Sequence, residues 1–214
     1  MALYPVNLYI AGRRCVVVGG GSVAARKVDA LVKAKACVTV ISPELSEALA
    51  DMVKTGQIEY LSKAYEPGDV TGYFLVICAA NQEAVNRQAA LEATSAGALV
   101  NVADSPELGN FTVPSKVERG DLMLTVSTGG KSPALAKKLR EELARCYGPE
   151  CGAYLELLSG VRETMKESLP TARDREAFWR QTIDEETLSL VRQGRMKEAE
   201  DRIKHAAGCF GCQS

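Results

Sequence analysis

Over the first hundred residues, apolar positions fall into short continuous runs separated by stretches with helical spacing. The first run is Cys15-Val-Val-Val-Gly19, and Leu8-Tyr-Ile10 ahead of Gly12 reads as an extra edge strand or hairpin arm. Over residues 22–35, Ala24, Val28, Leu31 and Val32 mark one face of an amphipathic helix. A second strand over 37–41 ends at Ser42-Pro43, followed by a helix over 44–55 and a strand over 58–61. Tyr73-Phe-Leu-Val-Ile-Cys78 is apolar throughout, as a strand buried on both faces should be. An alanine-rich helix over 82–96 and a strand over 98–102 complete the series. Strands alternating with helices predict right-handed β-α-β units and a mostly parallel sheet, so the expected class is α/β.

The alternation stops near Asn110. Phe111-Thr-Val113 and Leu122-Met-Leu-Thr-Val-Ser127 follow with no helix between them. They predict an antiparallel pair, joined by a charged stretch that holds Glu118-Arg-Gly-Asp121. Thr128-Gly-Gly-Lys-Ser-Pro133 then leads into a helix from 134 to about 146, with Ser132 suited to the N-cap and Pro133 to the first helical position. Residues 150–205 are helical by pattern, with breaks near Pro170 and Gly194. The expected organisation is 1–113 for the sheet domain, 114–148 for a small α+β segment, and 149–214 for a helical domain ending in Cys209-Phe-Gly-Cys212.

The first strand breaks into Gly19-Gly20-Gly21 and then a helix. Gly19, Gly21 and Ala24 stand at the G-x-G-x-x-G/A spacing of a dinucleotide-binding turn, which makes the sheet domain Rossmann-type. Gly19 permits the tight turn, Gly21 lets the backbone approach a pyrophosphate, and Ala24 lets the helix lie close on the sheet. The helix N-terminus aims unpaired N–H groups and a positive dipole end at the anion. An acidic residue about 20 positions on normally holds the ribose. Here that place reads Ile41-Ser42-Pro43-Glu44, so the carboxylate is replaced by Ser42 or displaced to Glu44. No arginine stands there for a 2′-phosphate, which favours NAD over NADP. Ser42, Asn81 and Asp104 all fall just past strand ends, where ligands of open α/β sheets lie. Asp104 either faces the nicotinamide or, followed by Ser105-Pro106, forms the turn that closes its strand.

Composition narrows the field by exclusion. Hydrophobic residues make up 46% and charged residues 25%, with a net charge of −1, so a general nucleic-acid binder is not expected. No apolar run approaches the roughly 18 residues of a membrane span and no leader pattern opens the chain, so the expected location is cytoplasmic. The cysteines number seven, an odd count that fits a reducing compartment better than a disulfide framework. Cys15, Cys37 and Cys78 lie in apolar strand patterns and are expected in the core. Cys209 and Cys212 are either two thiols on a tail or half of an iron-handling site with Cys146 and Cys151. No protein metal site is expected.

The turn Thr128-Gly129-Gly130 repeats the logic of the first glycine turn. Lys131 stands at the mouth of the Ser132-capped helix, with Lys137, Lys138 and Arg140 beyond it and Lys116 and Arg119 before it. A helix N-terminus among basic residues suits a substrate with several carboxylates. The alternative is a set of solvated lysines on an exposed face; Lys137, Lys138 and Arg140 fit that better than Lys131 does.

Four motifs, in order, resemble the siroheme synthase family: Cys15-Val-Val-Val-Gly-Gly-Gly-Ser-Val-Ala-Ala-Arg-Lys27, Val38-Thr-Val-Ile-Ser-Pro43, Asn101-Val-Ala-Asp-Ser-Pro106 and Val126-Ser-Thr-Gly-Gly-Lys-Ser-Pro133. The likeness is to its precorrin-2 dehydrogenase/sirohydrochlorin ferrochelatase module and covers about residues 5–145. It implies oxidation of precorrin-2 to sirohydrochlorin by NAD, with possible insertion of ferrous iron. The runner-up is a chelatase or tetrapyrrole carrier without dehydrogenase activity. The resemblance also implies a homodimer, with 114–148 as the dimerisation and active-site segment. It puts the functional aspartate at Asp104 and cofactor contacts at Ser22, Val23, Pro43 and Glu44. Thr128, Gly129, Gly130, Lys131 and Ser132 become the expected substrate-binding turn, and Gly19, Gly20, Gly21, Ser42 and Asn81 complete the expected cofactor set. Asp104 would be the general base, since a carboxylate beside a polyanion accepts protons readily. Some members carry serine where this chain has Thr128, a position that resembles a regulatory phosphorylation site. Longer members add a methyltransferase domain, so this chain is not expected to make precorrin-2.

Overall fold

A computed structural model describes residues 3–169 and 171–211, with side chains described as far as residue 208. The chain divides into two units, Met1–Val113 and Pro114–Ser214.

The first unit contains β1 (Arg14–Val18), α1 (Ser22–Lys33), β2 (Cys37–Ser42), α2 (Glu47–Lys54), β3 (Glu59–Ser62), β4 (Leu75–Cys78), α3 (Glu83–Ser95) and β5 (Leu99–Val102). The strands form one sheet in the order β3-β2-β1-β4-β5, and every pairing is parallel. Val16 at the centre stands opposite Thr39 on β2 and Val76 on β4. The continuous apolar runs are explained by burial on both faces. Cys15, Val17, Val38, Val40, Leu75 and Ile77 pack on one face with Ala24, Val28 and Leu31 of α1 and Leu49 of α2. Val16, Val18, Ile41, Val76, Val100 and Val102 pack on the other face with Ala89, Ala90 and Ala93 of α3. This is the Rossmann-type α/β architecture the pattern predicts.

Three expectations fail. Residues 8–10 form no strand, because both sides of β1 are taken by β2 and β4. Ile10 alone of that run is buried, and the Arg13 N–H donates back to its carbonyl at 3.0 Å. Cys37 is exposed, since it begins β2 where the strand emerges from the sheet. Cys15 and Cys78 are buried as expected, and burial pushes the Cys78 thiol up to about 12. The helix expected from 44 starts at Glu47, because the intervening residues wrap the glycine turn and the Ser46 N–H donates to the Gly20 carbonyl at 2.7 Å.

Phe111-Thr-Val113 is not a strand either. Asn110 closes the free edge of β5 instead. Its Oδ1 accepts from the Val100 N–H at 2.8 Å and its Nδ2 donates to the Ala98 carbonyl at 2.9 Å. Phe111 packs against the core of the first unit. The hairpin lies later, pairing β6 (Ser115–Arg119) with β7 (Leu122–Val126). The supposed charged connection is thus half strand and half turn, and Gly120 supplies the positive φ of +58° that the turn requires.

In the second unit α4 (Pro133–Cys146), α5 (Pro149–Ser168), α6 (Ala172–Thr182), α7 (Glu185–Arg192) and α8 (Met196–Gly211) follow the hairpin. The Arg119 guanidinium ties the hairpin to the end of α4, donating to the carbonyls of Tyr147 and Ala144 at 3.0 and 3.1 Å. Cys151, Tyr154, Leu190, Val191, Ala199 and Ile203 form one core cluster. Phe178 is fully buried in a second cluster with Met165 and Leu169. The helices break between Ser168 and Ala172 and at Gly194, and also at Asp184, which caps α7 by accepting from the Thr187 N–H at 2.7 Å. The side chains of Cys209 and Cys212, expected as two tail thiols or half of an iron-handling site, lie outside the described residues.

One half-buried network predicts acid sensitivity. The Glu92 carboxylate on α3 accepts from Tyr65 Oη at 2.6 Å, from Thr71 Oγ1 at 3.1 Å and from the N–H groups of Gly68 and Val70. Burial alone would raise its pKa, but these donors together hold it below the usual glutamate value. Its stabilising contribution is full above the unfolded-state pKa of about 4.3 and is lost as pH falls through the lower folded-state value. Glu92→Gln should therefore lower the urea midpoint at pH 7, and the gap to the parent should shrink steadily towards pH 3. An equal gap at both pH values would remove the network from the account.

Candidate active site

The site of the first unit begins where β1 meets α1. Gly19 has φ +125°, a conformation that side-chain-bearing residues rarely adopt, and a Cβ there would strike the Ala79 carbonyl beyond β4. A Cβ on Gly20 would collide with the Glu44 carbonyl and lie 2.7 Å from Ser42 Oγ. Both glycines are therefore required by the fold itself. Gly21 differs. It has extended backbone angles, it is exposed, and a Cβ built on it meets nothing within 4 Å. It precedes an α1 N-terminus with no side-chain cap and no acidic residue in the first turn. Ser22 is exposed and Val23 half-buried beside it. An uncapped helix end facing open space offers N–H donors and a positive dipole end to an anion.

The end of β2 supplies the next contacts. Ser42 is buried, and its hydroxyl donates to the Glu44 carbonyl at 2.7 Å, so it shapes the loop. Tyr60 Oη braces the same loop by donating to the Ser42 carbonyl at 3.0 Å. Pro43 and Glu44 are exposed, and the Glu44 carboxylate has no hydrogen bond or ion pair among the described residues. Asn81 is exposed beyond β4. The amide that organises this loop is Asn86, which the sequence reading missed. Its Oδ1 accepts from the Ala80 N–H at 2.9 Å and its Nδ2 donates to the Ala80 carbonyl at 2.8 Å. An asparagine on the buried alanine face of α3 was the available signal.

Beyond β5, Asp104 is exposed and its carboxylate makes no hydrogen bond among the described residues. A turn-closing aspartate would bond a nearby N–H, and this one does not. Asn101, three residues earlier, is buried and joined to Lys27 of α1 at 3.3 Å. Asp104 stood out by its place past a strand end, but neither Asn101 nor Lys27 stood out by spacing alone.

The second unit holds the other glycine turn. Thr128 Oγ1 donates to the Ser132 carbonyl at 3.1 Å and accepts from the Ser132 N–H at 3.2 Å. Ser132 Oγ caps α4 by accepting from the Leu135 N–H at 3.2 Å. Both hydroxyls thus hold the turn. Gly129 and Gly130 have φ +60° and +79° and are exposed. Lys131 is exposed, with no ion pair among the described residues.

These features define an α/β protein of the dinucleotide-binding type, with exposed acidic residues past the ends of β2 and β5. A putative NAD(P)-binding family model matches residues 6–115. The sirohaem biosynthesis protein central model matches 119–145, and the sirohaem synthase dimerisation region matches 150–206. The siroheme synthase of Methylococcus capsulatus is 35% identical over 207 residues, covering 97% of this chain and 44% of that protein. That of Methylobacillus flagellatus is 39% identical over 193 residues, covering 88% and 41%. The solved structure of SirC, a precorrin-2 dehydrogenase, superposes with a TM-score of 0.77 at 27% identity, covering 93% of this chain and all of that one. The chain belongs to the siroheme synthase family. It spans less than half the length of the siroheme synthases named here. Among the described residues, no helix is long and apolar enough to cross a membrane, and no three His, Cys, Asp or Glu side chains are grouped to hold a metal.

Proposed function

We propose that this chain oxidises precorrin-2 to sirohydrochlorin with NAD as the oxidant. The observation that carries the reading is the pairing of an uncapped, sterically open α1 N-terminus at Gly21 with an unpartnered Asp104 beyond β5. The structural likeness to a precorrin-2 dehydrogenase supports the substrate. Gly19, Gly20 and Gly21 with the N–H groups of Ser22 and Val23 would hold the pyrophosphate. Glu44 would take the ribose hydroxyls, and its negative charge would repel a 2′-phosphate, which favours NAD over NADP. When bound, the nicotinamide supplies a hydride acceptor.

The oxidation removes one hydride and one proton from the macrocycle, giving sirohydrochlorin, NADH and a proton. Asp104 accepts that proton and passes it to water from its exposed position. Lys131 and the backbone of Gly129 and Gly130 would receive substrate carboxylates, since the hydroxyls of Thr128 and Ser132 are already committed. We take 114–148 as the dimerisation and active-site segment of a homodimer, with the helical domain 149–214 contributing to the dimer as well. The match to a sirohaem synthase dimerisation region supports this. Free thiols at Cys15, Cys37, Cys78, Cys146 and Cys151 fit a cytoplasmic location.

Anaerobic incubation with precorrin-2 and NAD should yield NADH and sirohydrochlorin in equal amounts, with slower turnover on NADP. No turnover on either cofactor would reject the reading. Relatives called siroheme synthases favour a second step, insertion of ferrous iron into sirohydrochlorin. In that step iron is a substrate bound by the macrocycle nitrogens and Asp104 takes the displaced pyrrole protons. Adding ferrous ion to the same assay tests it by formation of siroheme.

A further inference from the structure

Lys27 is a half-buried cation without a counter-charge. It stands on α1 between Ala24 and Val28 of the core-facing stripe. Its Nζ donates to Asn101 Oδ1 at 3.3 Å, and Asn101 Nδ2 donates in turn to the Phe111 carbonyl at 3.1 Å. That second bond fixes the amide with its oxygen towards the lysine. No carboxylate among the described residues pairs with Lys27. By contrast Lys33, Lys54, Lys63, Lys116, Lys166 and Lys204 each meet an acidic partner. Burial first, and then the neighbouring Arg26, hold the Lys27 ammonium below the usual lysine pKa. A partly desolvated charge with only a neutral partner costs stability. A methionine or leucine would fill the same space without that cost, so the charge points to an anion that arrives from outside.

The position separates the candidate anions. Lys27 is five residues into α1, about 7.5 Å along the helix axis from Ser22. Asn101 lies on β5, two strands from β1 and so about 10 Å across the sheet. A pyrophosphate at the first turn of α1 lies on the β1 side. The Lys27 ammonium, held against Asn101, lies towards β5, beyond whose end Asp104 follows three residues after Asn101.

We propose that Lys27 is the seat for one carboxylate of the bound tetrapyrrole, with Asn101 directing its ammonium, so that it sets how the macrocycle lies beside Asp104. This rests on the precorrin-2 reading given above.

The test compares Lys27→Met, which keeps the apolar stem, with Lys27→Gln as a second variant should the first fold poorly. NAD affinity is measured directly, and tetrapyrrole affinity by the absorbance change of sirohydrochlorin and of uroporphyrin I, an octacarboxylate. Expected results are an unchanged or higher melting temperature, NAD affinity within twofold of the parent, and tetrapyrrole affinity at least tenfold weaker. The KM for precorrin-2 should rise at least tenfold, with kcat changing less. Unchanged tetrapyrrole affinity would overturn the proposal. So would a matching loss of NAD affinity, which would assign Lys27 to the cofactor phosphates. The binding arm judges Lys27 even if the parent protein fails to oxidise precorrin-2, so the two readings fail separately.

Discussion

Asp104→Asn is expected to slow NADH formation from precorrin-2 by a factor of about 10² to 10⁴, the usual reach of a positioned general base. NAD affinity should stay within twofold and the melting temperature within a degree or so. The asymmetry follows from the surroundings of the side chain. Asp104 is exposed, makes no hydrogen bond among the described residues, and precedes a short turn at Pro106–Leu108 that it does not cap. Replacing one carboxylate oxygen by an amide nitrogen therefore disturbs nothing that holds the fold. It removes only the ability to take a proton. Single-turnover NADH absorbance under anaerobic conditions measures the rate, and a dye-based melt measures stability. A variant that kept full rate would transfer the proton-accepting role to another group.

The second large effect separates two adjacent glycines. Gly21→Asp should weaken NAD binding by more than about a hundredfold, close to 3 kcal/mol, while the melting temperature stays near that of the parent. The new side chain enters space that holds no protein atom, and its charge meets the helix end proposed to hold the pyrophosphate. Gly20→Ala should do the opposite. Its methyl group would be driven into the Glu44 carbonyl and the Ser42 hydroxyl, opening the loop that the Ser46 N–H anchors. Overpacking of this kind costs about 1–3 kcal/mol or more, read as a lower urea midpoint without ligand. If Gly21→Asp unfolded the protein and Gly20→Ala did not, the assignment of packing and binding between them would be reversed. Isothermal titration with NAD and urea melts of both variants decide it.

Much of this was legible in the chain. The central strands of the first unit could be read because they are buried on both faces and therefore mostly apolar, as in Leu75-Val-Ile-Cys78, whereas the edge strand β3 is largely exposed. The glycine turn could be read because backbone conformation and close approach restrict residue type directly. Ser132 could be read as a cap because an N-cap bond is local, spanning three residues to Leu135. Where the reading failed, the deciding contact was a particular backbone pairing within about a dozen residues that residue type alone does not announce. Phe111 looked like a strand residue, yet Asn110 folds back on β5 and closes its edge. The charged stretch from Ser115 looked like a connection, yet it pairs with β7 across a glycine turn. Asp184 breaks the helical tail, although its capping chemistry was local enough to have been seen.

For the site, the sequence by itself determined the kinds of group present: a glycine turn, an acidic residue past β2, a carboxylate past β5 and a basic turn before α4. Tertiary structure decided which of them remain available. It turns Ser42 inward to hold its own loop and commits Thr128 and Ser132 to theirs, but leaves Glu44, Asp104 and Lys131 unpartnered among the described residues. It also brings Lys27 to Asn101 across 74 positions of sequence. The physical reason is that residue type fixes what a side chain can donate, accept or ionise. Whether those capacities are used up inside the protein depends on neighbours that only the folded chain brings within hydrogen-bonding distance.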